Sequence, residues 1–117
     1  MDFSPEFYET DTGRCPVREF LDDLKAGNPN DFAVVMAGLA KLRNRRNHRP
    51  PLSKPIDGKL FKLRHVGKLN TRILYFYMKG KRIVAVHGIR NKTQKISGSD
   101  REVALARMHD WLKRQDT

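Results

Sequence analysis

Cysteines, long apolar runs and metal-ligand spacings are all scarce in this chain of 117 residues. The single cysteine, Cys15, excludes an intramolecular disulfide and any metal site with several cysteine ligands. The histidines show no His-x-x-x-His spacing. No apolar run approaches the roughly 20 residues that span a bilayer, and the acidic N-terminus does not resemble a signal peptide. We therefore expect a soluble, cytoplasmic protein with no membrane span, no metal and no small-molecule cofactor.

Acidic residues are nearly missing from the middle of the chain. Residues 1–31 hold three Lys and Arg against eight acids, a balance of −5, whereas residues 32–95 hold seventeen against Asp57 alone, a balance of +16. The last part is neutral, so the whole excess behind the net charge of +11 lies in the middle. Because a surface made only for solubility mixes both signs, this block indicates a face that binds a polyanion such as nucleic acid.

Residues 59–95 contain β-branched and aromatic runs broken by two short glycine-containing turns. This pattern predicts three consecutive strands of an antiparallel meander. Lys62 and Arg64 are two residues apart in the first strand and share one face, while the neighbouring apolar residues share the other. Arg72 opens the second strand, and the third runs into the polar segment 90–95, so we expect a phosphate-binding site where the strand ends meet. Alternatively, Lys62 and Arg64 form the solvent side of a half-exposed strand, and residues 90–95 form an exposed polar loop.

Two apolar stripes at helical spacing predict a helical hairpin before the meander. The first helix begins at Pro16 and ends near Gly27. The second has Asn28 as its N-cap and Pro29 at its first position, and it ends near Asn47. We expect both stripes to pack on the uncharged face of the sheet.

Three other segments complete the expected organisation. Residues 3–8 could add one strand, which Pro5 confines to a sheet edge or a strand end. Residues 52–58 are interpreted as a proline-bearing connection into the meander. Ser99 and Glu102 form a Ser-x-x-Glu capping box that predicts the start of a final helix.

A run of arginines follows the apolar stripe of the second helix: Arg43, Arg45, Arg46 and Arg49. Cations in a last helical turn interact favourably with the helix dipole by about 0.3–1 kcal/mol each, which accounts for part of the run. Four arginines are more than the interaction with the helix dipole accounts for. We therefore assign a nucleic-acid-binding role to these four residues and to two further cations, Lys68 and Lys95.

The chain contains Leu-Phe-Lys-Leu-Arg at 60–64, Thr-Arg-Ile-Leu-Tyr at 71–75 and Val-His-Gly-Ile-Arg-Asn-Lys-Thr-Gln-Lys at 86–95. Together with the order of elements, these strings resemble the phage-derived Gp49-like, HigB-type branch of the RelE/ParE toxin superfamily. The resemblance covers nearly the whole chain. It implies a single α+β domain (residues 1–117) in which a two-helix hairpin packs on a small twisted antiparallel sheet, with a C-terminal helix. It also implies a toxin paired with a helix-turn-helix antitoxin.

The resemblance also implies a set of catalytic residues: Lys62, Arg64, Arg72, and Arg90 or Lys92. Cutting RNA without a metal requires removing a proton from the 2′-hydroxyl, stabilising a phosphorane with extra negative charge, and protonating the leaving oxygen. Clustered Lys and Arg can supply the charge stabilisation, and a lysine close to other cations loses its proton more readily. We assign Arg72 as the phosphate clamp, Lys62 to proton transfer, and Arg64 and Lys92 to charge stabilisation.

Two expectations qualify this assignment. Arg72 stands at a strand end, where we expect it to contribute little to the core. RelE has a tyrosine near its C-terminus in the site, but no tyrosine follows Tyr77 here. The final proton donor is therefore unassigned, and His65 and His87 are weaker acid–base candidates.

Three functions are compatible with these observations. The first is an mRNA endonuclease that acts on messages in the ribosome, as RelE-side members do; the second is a gyrase inhibitor, as ParE-side members are. The third is a non-catalytic basic RNA-binding protein. Cations both on the strands and after the last strand favour catalysis. The Lys-x-Arg strand and the Lys-Thr-Gln-Lys tail resemble the RelE-like and HigB-like pattern more than the ParE-like one.

Overall fold

The computed structural model describes residues 2–50, 52–64, 71–90 and 96–115, which contain the following helices and strands. In chain order they are β1 (Ser4–Phe7), α1 (Pro16–Gly27), α2 (Pro29–Lys41), a 3₁₀ turn (Arg45–Asn47), β2 (Ser53–Asp57), β3 (Leu60–Arg64), β4 (Thr71–Met78), β5 (Arg82–Arg90) and α3 (Gly98–Gln115). None of the helices in these ranges is long and apolar enough to cross a membrane.

The five strands form one sheet in the order β1-β5-β4-β3-β2. Strands β3, β4 and β5 are antiparallel neighbours, which confirms the meander. Strand β1 pairs in parallel with β5 at one edge, which confirms the edge strand over residues 3–8. The interpretation of residues 52–58 as a connection is wrong, because β2 pairs antiparallel with β3 at the other edge. Pro55 is compatible with this edge position because it has no N–H to donate to a further strand.

Each face of the sheet carries its own apolar core. Helices α1 and α2 cover the face that bears Phe61 and Leu63, which confirms that the hairpin packs on the uncharged face. Helix α3 packs on the opposite face through Ala104 and Met108, which meet apolar residues of β3, β4 and β5. The face that bears Lys62 is therefore only partly cationic. The α+β architecture matches the expectation.

The second helix is shorter than expected. Its N-cap is confirmed, since Asn28 Oδ1 accepts a hydrogen bond of 3.1 Å from the Asp31 N–H. It ends at Lys41 rather than near Asn47, because Asn44 adopts an extended backbone (φ −101°, ψ 122°) and its side chain accepts from the Arg46 N–H at 3.1 Å. An asparagine competes well for backbone donors in this way, and it starts a new short turn.

The final helix begins with a different cap from the one expected. Ser97, not Ser99, accepts from the Asp100 N–H at 3.1 Å, and its hydroxyl donates to Asp100 Oδ2 at 2.7 Å. The backbone carbonyl of Ser97 also accepts the helical bond from Arg101. The N-cap residue is therefore Ser97, two residues before Ser99. Asp100, three residues after this cap, takes the place in the capping box that Glu102 was expected to take.

Candidate functional site

Cations of β2, β3 and β4 come together on the sheet face that packs against α3. In an antiparallel sheet, residues directly opposite each other share a face, and neighbouring strands are about 4.8 Å apart. Arg64 stands opposite Arg72, and Lys62 stands opposite Leu74. Lys62 also faces Lys54, an exposed residue of β2. We call the strand positions of these four residues, Lys54, Lys62, Arg64 and Arg72, the strand cluster.

The strand cluster contains two cross-strand pairs of like charge, Lys54 with Lys62 and Arg64 with Arg72. Like charges directly opposite each other destabilise a sheet unless another group compensates them. An anion bound there would compensate the repulsion. Sequence reasoning missed Lys54 because the strand that carries it was interpreted as a connection.

Arg72 is buried, with a relative exposure of 4%, and this contradicts the expectation that it contributes little to the core. It stands between Arg64 of β3 and Ile89 of β5. Lys62 is half-buried, and both Lys62 and Arg72 interact with neighbouring groups. A guanidinium held in a buried position is restricted in its geometry, which suits recognition of a planar or tetrahedral anion.

Arg90 does not join the strand cluster by register. It is the last residue of β5 and stands opposite Thr71, whose hydroxyl donates to Asp31 of α2 at 2.5 Å. That contact puts Thr71, and the strand position of Arg90, on the face covered by α1 and α2. Lys68, Lys92 and Lys95 lie outside the described residues.

A β-bulge in β5 turns His87 towards α3. Leu74 pairs with His87 and the next residue, Tyr75, pairs with Ala85, so Val86 is an extra residue in β5. Without this insertion His87 would alternate onto the face covered by α1. Bulges re-aim side chains in this way and are common beside functional sites. His87 consequently stands on the face of the strand cluster, with Leu74 between it and Lys62.

Both ring nitrogens of His87 have partners on α3. Arg107 Nη1 donates to the Val86 carbonyl at 2.8 Å and lies 3.2 Å from His87 Nδ1. Because a guanidinium has no acceptor, Nδ1 accepts, and Nε2 carries the proton and donates to Asp100 Oδ1 at 2.8 Å. Burial raises the pKa of Asp100, but the hydrogen bonds from His87 and Ser97 outweigh it, and the net pKa is lowered. Burial lowers the pKa of Arg107.

The bulge also sets the direction of Gly88, the residue after His87. Gly88 faces α1, where a Cβ would come within 2.4 Å of the Phe20 ring. No side chain fits at that distance, so the glycine allows α1 to pack closely against β5. The bulge thus sets two side-chain directions at once, with His87 towards α3 and Gly88 under Phe20.

The start of the arginine run at residues 43–49 lies away from the strand cluster, whereas the carbonyl of Arg49 accepts a hydrogen bond of 3.1 Å from the N–H of Ser53, the residue before Lys54. His48 of this run packs against Phe3 and Tyr77, with ring centroids 4.5 and 4.8 Å away. Tyr77 is near the end of β4, whereas Arg72 is near its start, and the five-residue step from one to the other spans about 17 Å of strand. Of the four arginines, the structure therefore brings Arg49 beside β2 and leaves the start of the run away from the catalytic candidates. The described residues contain no group of three or more His, Cys, Asp and Glu side chains arranged to hold a metal ion.

The family model described as Phage derived protein Gp49-like (DUF891) matches residues 19–109, which run from within α1 to within α3. No curated protein matches the chain. This family is the HigB/RelE-like branch of toxins, so at the level of the family the function is that of the toxin in a toxin–antitoxin pair. Because the match covers most of the chain and includes β2–β5, the chain belongs to the phage-derived Gp49-like family.

Proposed function

We propose that the protein is a ribosome-dependent mRNA endonuclease that inhibits translation in the cytoplasm and cleaves without a metal, by attack of the 2′-hydroxyl. The observation that carries this proposal is the register of the strand cluster, which sets residues of like charge opposite each other at two places on one face of the sheet. A phosphorane transition state has more negative charge than the ground state. Fixed cations aimed at it therefore stabilise the transition state preferentially.

The chemistry divides among named residues. Arg72 clamps two phosphate oxygens through its planar guanidinium, and its burial restricts the direction of that fork. Lys62 transfers the proton of the attacking hydroxyl, because it is half-buried and its strand position lies on the face that carries the other cations of the strand cluster. Arg64, Lys54 and Lys92 stabilise the added charge. Arg90 receives no role in this division, because its register places its strand position on the other face of the sheet.

The expected partner is a helix-turn-helix antitoxin with an acidic segment. The family supports an antitoxin partner, and residues 32–95 carry a balance of +16, seventeen Lys and Arg against one acid. An acidic segment associates quickly with such a surface and keeps the free toxin from binding RNA indiscriminately.

The test is to induce the protein briefly in a bacterial host and to map RNA 5′ ends and DNA breaks together. We expect growth arrest and new 5′ ends within translated messages. Lys62→Met should abolish these ends, whereas the matched change Lys59→Met, in the turn before β3, should not. Intact RNA with broken DNA would replace this proposal by a gyrase-directed one, and intact RNA and DNA at high soluble expression would leave only a binding role.

A further inference from the structure

A second group of exposed cations lies at the opposite end of the sheet from Arg72, and we propose that it binds the phosphate backbone of double-helical RNA. This second cationic surface consists of Arg43, Arg45, Arg46, Lys79 and Lys81, all of them exposed. The choice of RNA over DNA rests on the proposed function, whereas the choice of a double helix rests on the residues of the surface itself.

Strand β1 ties the two parts of this surface together. The Phe3 N–H donates to the Arg43 carbonyl at 2.8 Å, and the next N–H, of Ser4, donates to the Lys81 carbonyl at 2.8 Å. Two consecutive N–H groups at the start of β1 thus hold Arg43 on one side of the chain and Lys81 on the other. Residues that are far apart in sequence are therefore brought close together there.

The arginine run is fixed although it is neither helix nor strand for most of its length. Asn47 Nδ2 donates to the Lys41 carbonyl at 2.9 Å, and His48 Nε2 donates to the Leu42 carbonyl at 2.6 Å. The side chain of Asn44 accepts from the Arg46 N–H at 3.1 Å. A loop held in place before binding loses less entropy when a ligand engages its side chains.

Few acids balance these cations. Within the described residues Asp2 reaches Arg43 at 3.4 Å, and both side chains are more than half exposed, so this pair contributes little. Arg82 is close by but is paired with Glu6 through two contacts, of 2.5 and 2.8 Å, and we exclude it from the surface. The sequence has no acid at residues 32–56 or 58–99. The repulsion within the surface is relieved by an external anion.

Lys81 supplies an independent indication. Its φ of 57° lies in the left-handed region, where a residue with a side chain is strained and glycine or asparagine is favoured. A turn optimised for folding alone would have one of those residues. Retaining a lysine there is explained if its ammonium group contacts a ligand.

The aromatic rings of this region favour a double helix over a single strand. Proteins that bind single strands stack bases on open aromatic faces. Here Phe3, His48 and Tyr77 pack on one another and all three are half-buried, so none of them presents a fully open ring. A surface with phosphate-binding groups and no stacking platform fits a duplex, which is recognised through its backbone and shape.

The surface also lacks what a protein partner requires. Among the described residues, the exposed large apolar side chains are Val34, Met36 and Val103, and none of them belongs to it. Protein interfaces have an apolar centre surrounded by polar groups. An acidic protein is therefore the weaker match, and it becomes an outcome of the test.

The test measures binding of the full-length protein to a short blunt RNA duplex without ribosomes, over a range of salt. In the fourfold variant Arg43→Ala, Arg45→Ala, Arg46→Ala, Lys79→Ala we expect affinity about tenfold or more lower and a salt slope flatter by about 0.9 per lost phosphate contact. The matched control removes four exposed cations elsewhere: Arg18→Ala, Lys25→Ala, Arg101→Ala, Lys113→Ala. Equal weakening in both variants would mean that only net charge matters, and would overturn the proposal.

Two further measurements separate the alternatives. Lys81→Gly should weaken duplex binding without lowering the thermal midpoint of unfolding, and unchanged affinity would contradict the role of Lys81. Single-stranded RNA, duplex DNA or polyglutamate that competes as well as duplex RNA would reassign the surface to a single strand, to DNA or to an acidic protein. The duplex-binding assay contains no cleavage step. Its result therefore does not depend on whether the protein has the proposed nuclease activity.

Discussion

Replacing Arg72 tests the proposed catalytic site most directly, and its burial determines which substitution is informative. Arg72→Ala would remove a large side chain that is 4% exposed, which destabilises a domain by about 0.5–3 kcal/mol in typical cases. Loss of activity in that variant would be ambiguous. Arg72→Met keeps most of the aliphatic volume and removes the guanidinium, and Arg72→Lys keeps the charge but not the two-pronged donor.

The expected loss of activity follows from the proposed role of Arg72. Removing one preorganised donor to a transition-state oxyanion costs about 2.7–4 kcal/mol, or roughly a hundred- to a thousand-fold in rate. We expect Arg72→Met to lose that much and Arg72→Lys to recover part of it. Antitoxin binding should persist in both variants, since neither changes the fold.

The assay is single-turnover cleavage of ribosome-bound message, with urea unfolding of each variant measured alongside it. The matched control is Arg82→Met, which removes a half-buried guanidinium of β5 that is paired with Glu6 at the other end of the sheet. A folded Arg72→Met protein that cleaves within a few-fold of the parent rate would remove Arg72 from the site. Much of the case for catalysis would be lost with it.

Four further results are expected. Lys54→Gln should leave stability unchanged or raise it, because it removes a like-charge pair with Lys62, yet it should slow cleavage; a loss of stability with full activity would contradict the role of the strand cluster. Removing any bound metal from the toxin before it meets intact ribosomes should leave cleavage unchanged, and loss of cleavage would refute the metal-independent mechanism. Antitoxin affinity should fall as salt rises, whereas constant affinity would exclude an electrostatic contribution. The lowered pKa of Asp100 contributes stability above its unfolded-state pKa, which is about 3.9, and this contribution is lost as pH falls through the folded-state value; pH-dependent unfolding should show a smaller acid loss for Asp100→Asn.

The elements that could be predicted from the sequence are those with a local signal. The alternation of Lys62 and Arg64 with apolar residues was enough to predict which face of β3 is charged, because the period of a strand is two. Asn28 and Pro29 were enough to predict the start of α2. Pro5 correctly confined β1 to an edge, since proline lacks the donor that a central strand needs.

The features that were missed depend on contacts between distant segments. The edge strand β2 contains Pro55 and has no clear alternation, so only its pairing with β3 reveals it, and Lys54 was overlooked as a result. The burial of Arg72 arises from neighbouring strands rather than from its own position in β4. The direction of His87 depends on one extra residue in β5, and a bulge cannot be read from a period-two pattern.

The same geometry explains why charge that is continuous in sequence divides into two surfaces. Each antiparallel strand reverses the chain, so a basic block that runs through several strands alternates between the two ends of the sheet. Arg72 is the second residue of β4 and Lys79 follows its end, about 24 Å away along the strand. A partner segment that covers one end leaves the other exposed. An antitoxin can therefore stop the proposed cleavage in two ways: by acting on the strand cluster, directly or by displacing α3, or by covering the second cationic surface, which leaves the reacting groups in place but keeps the toxin from the RNA on which its cleavage depends.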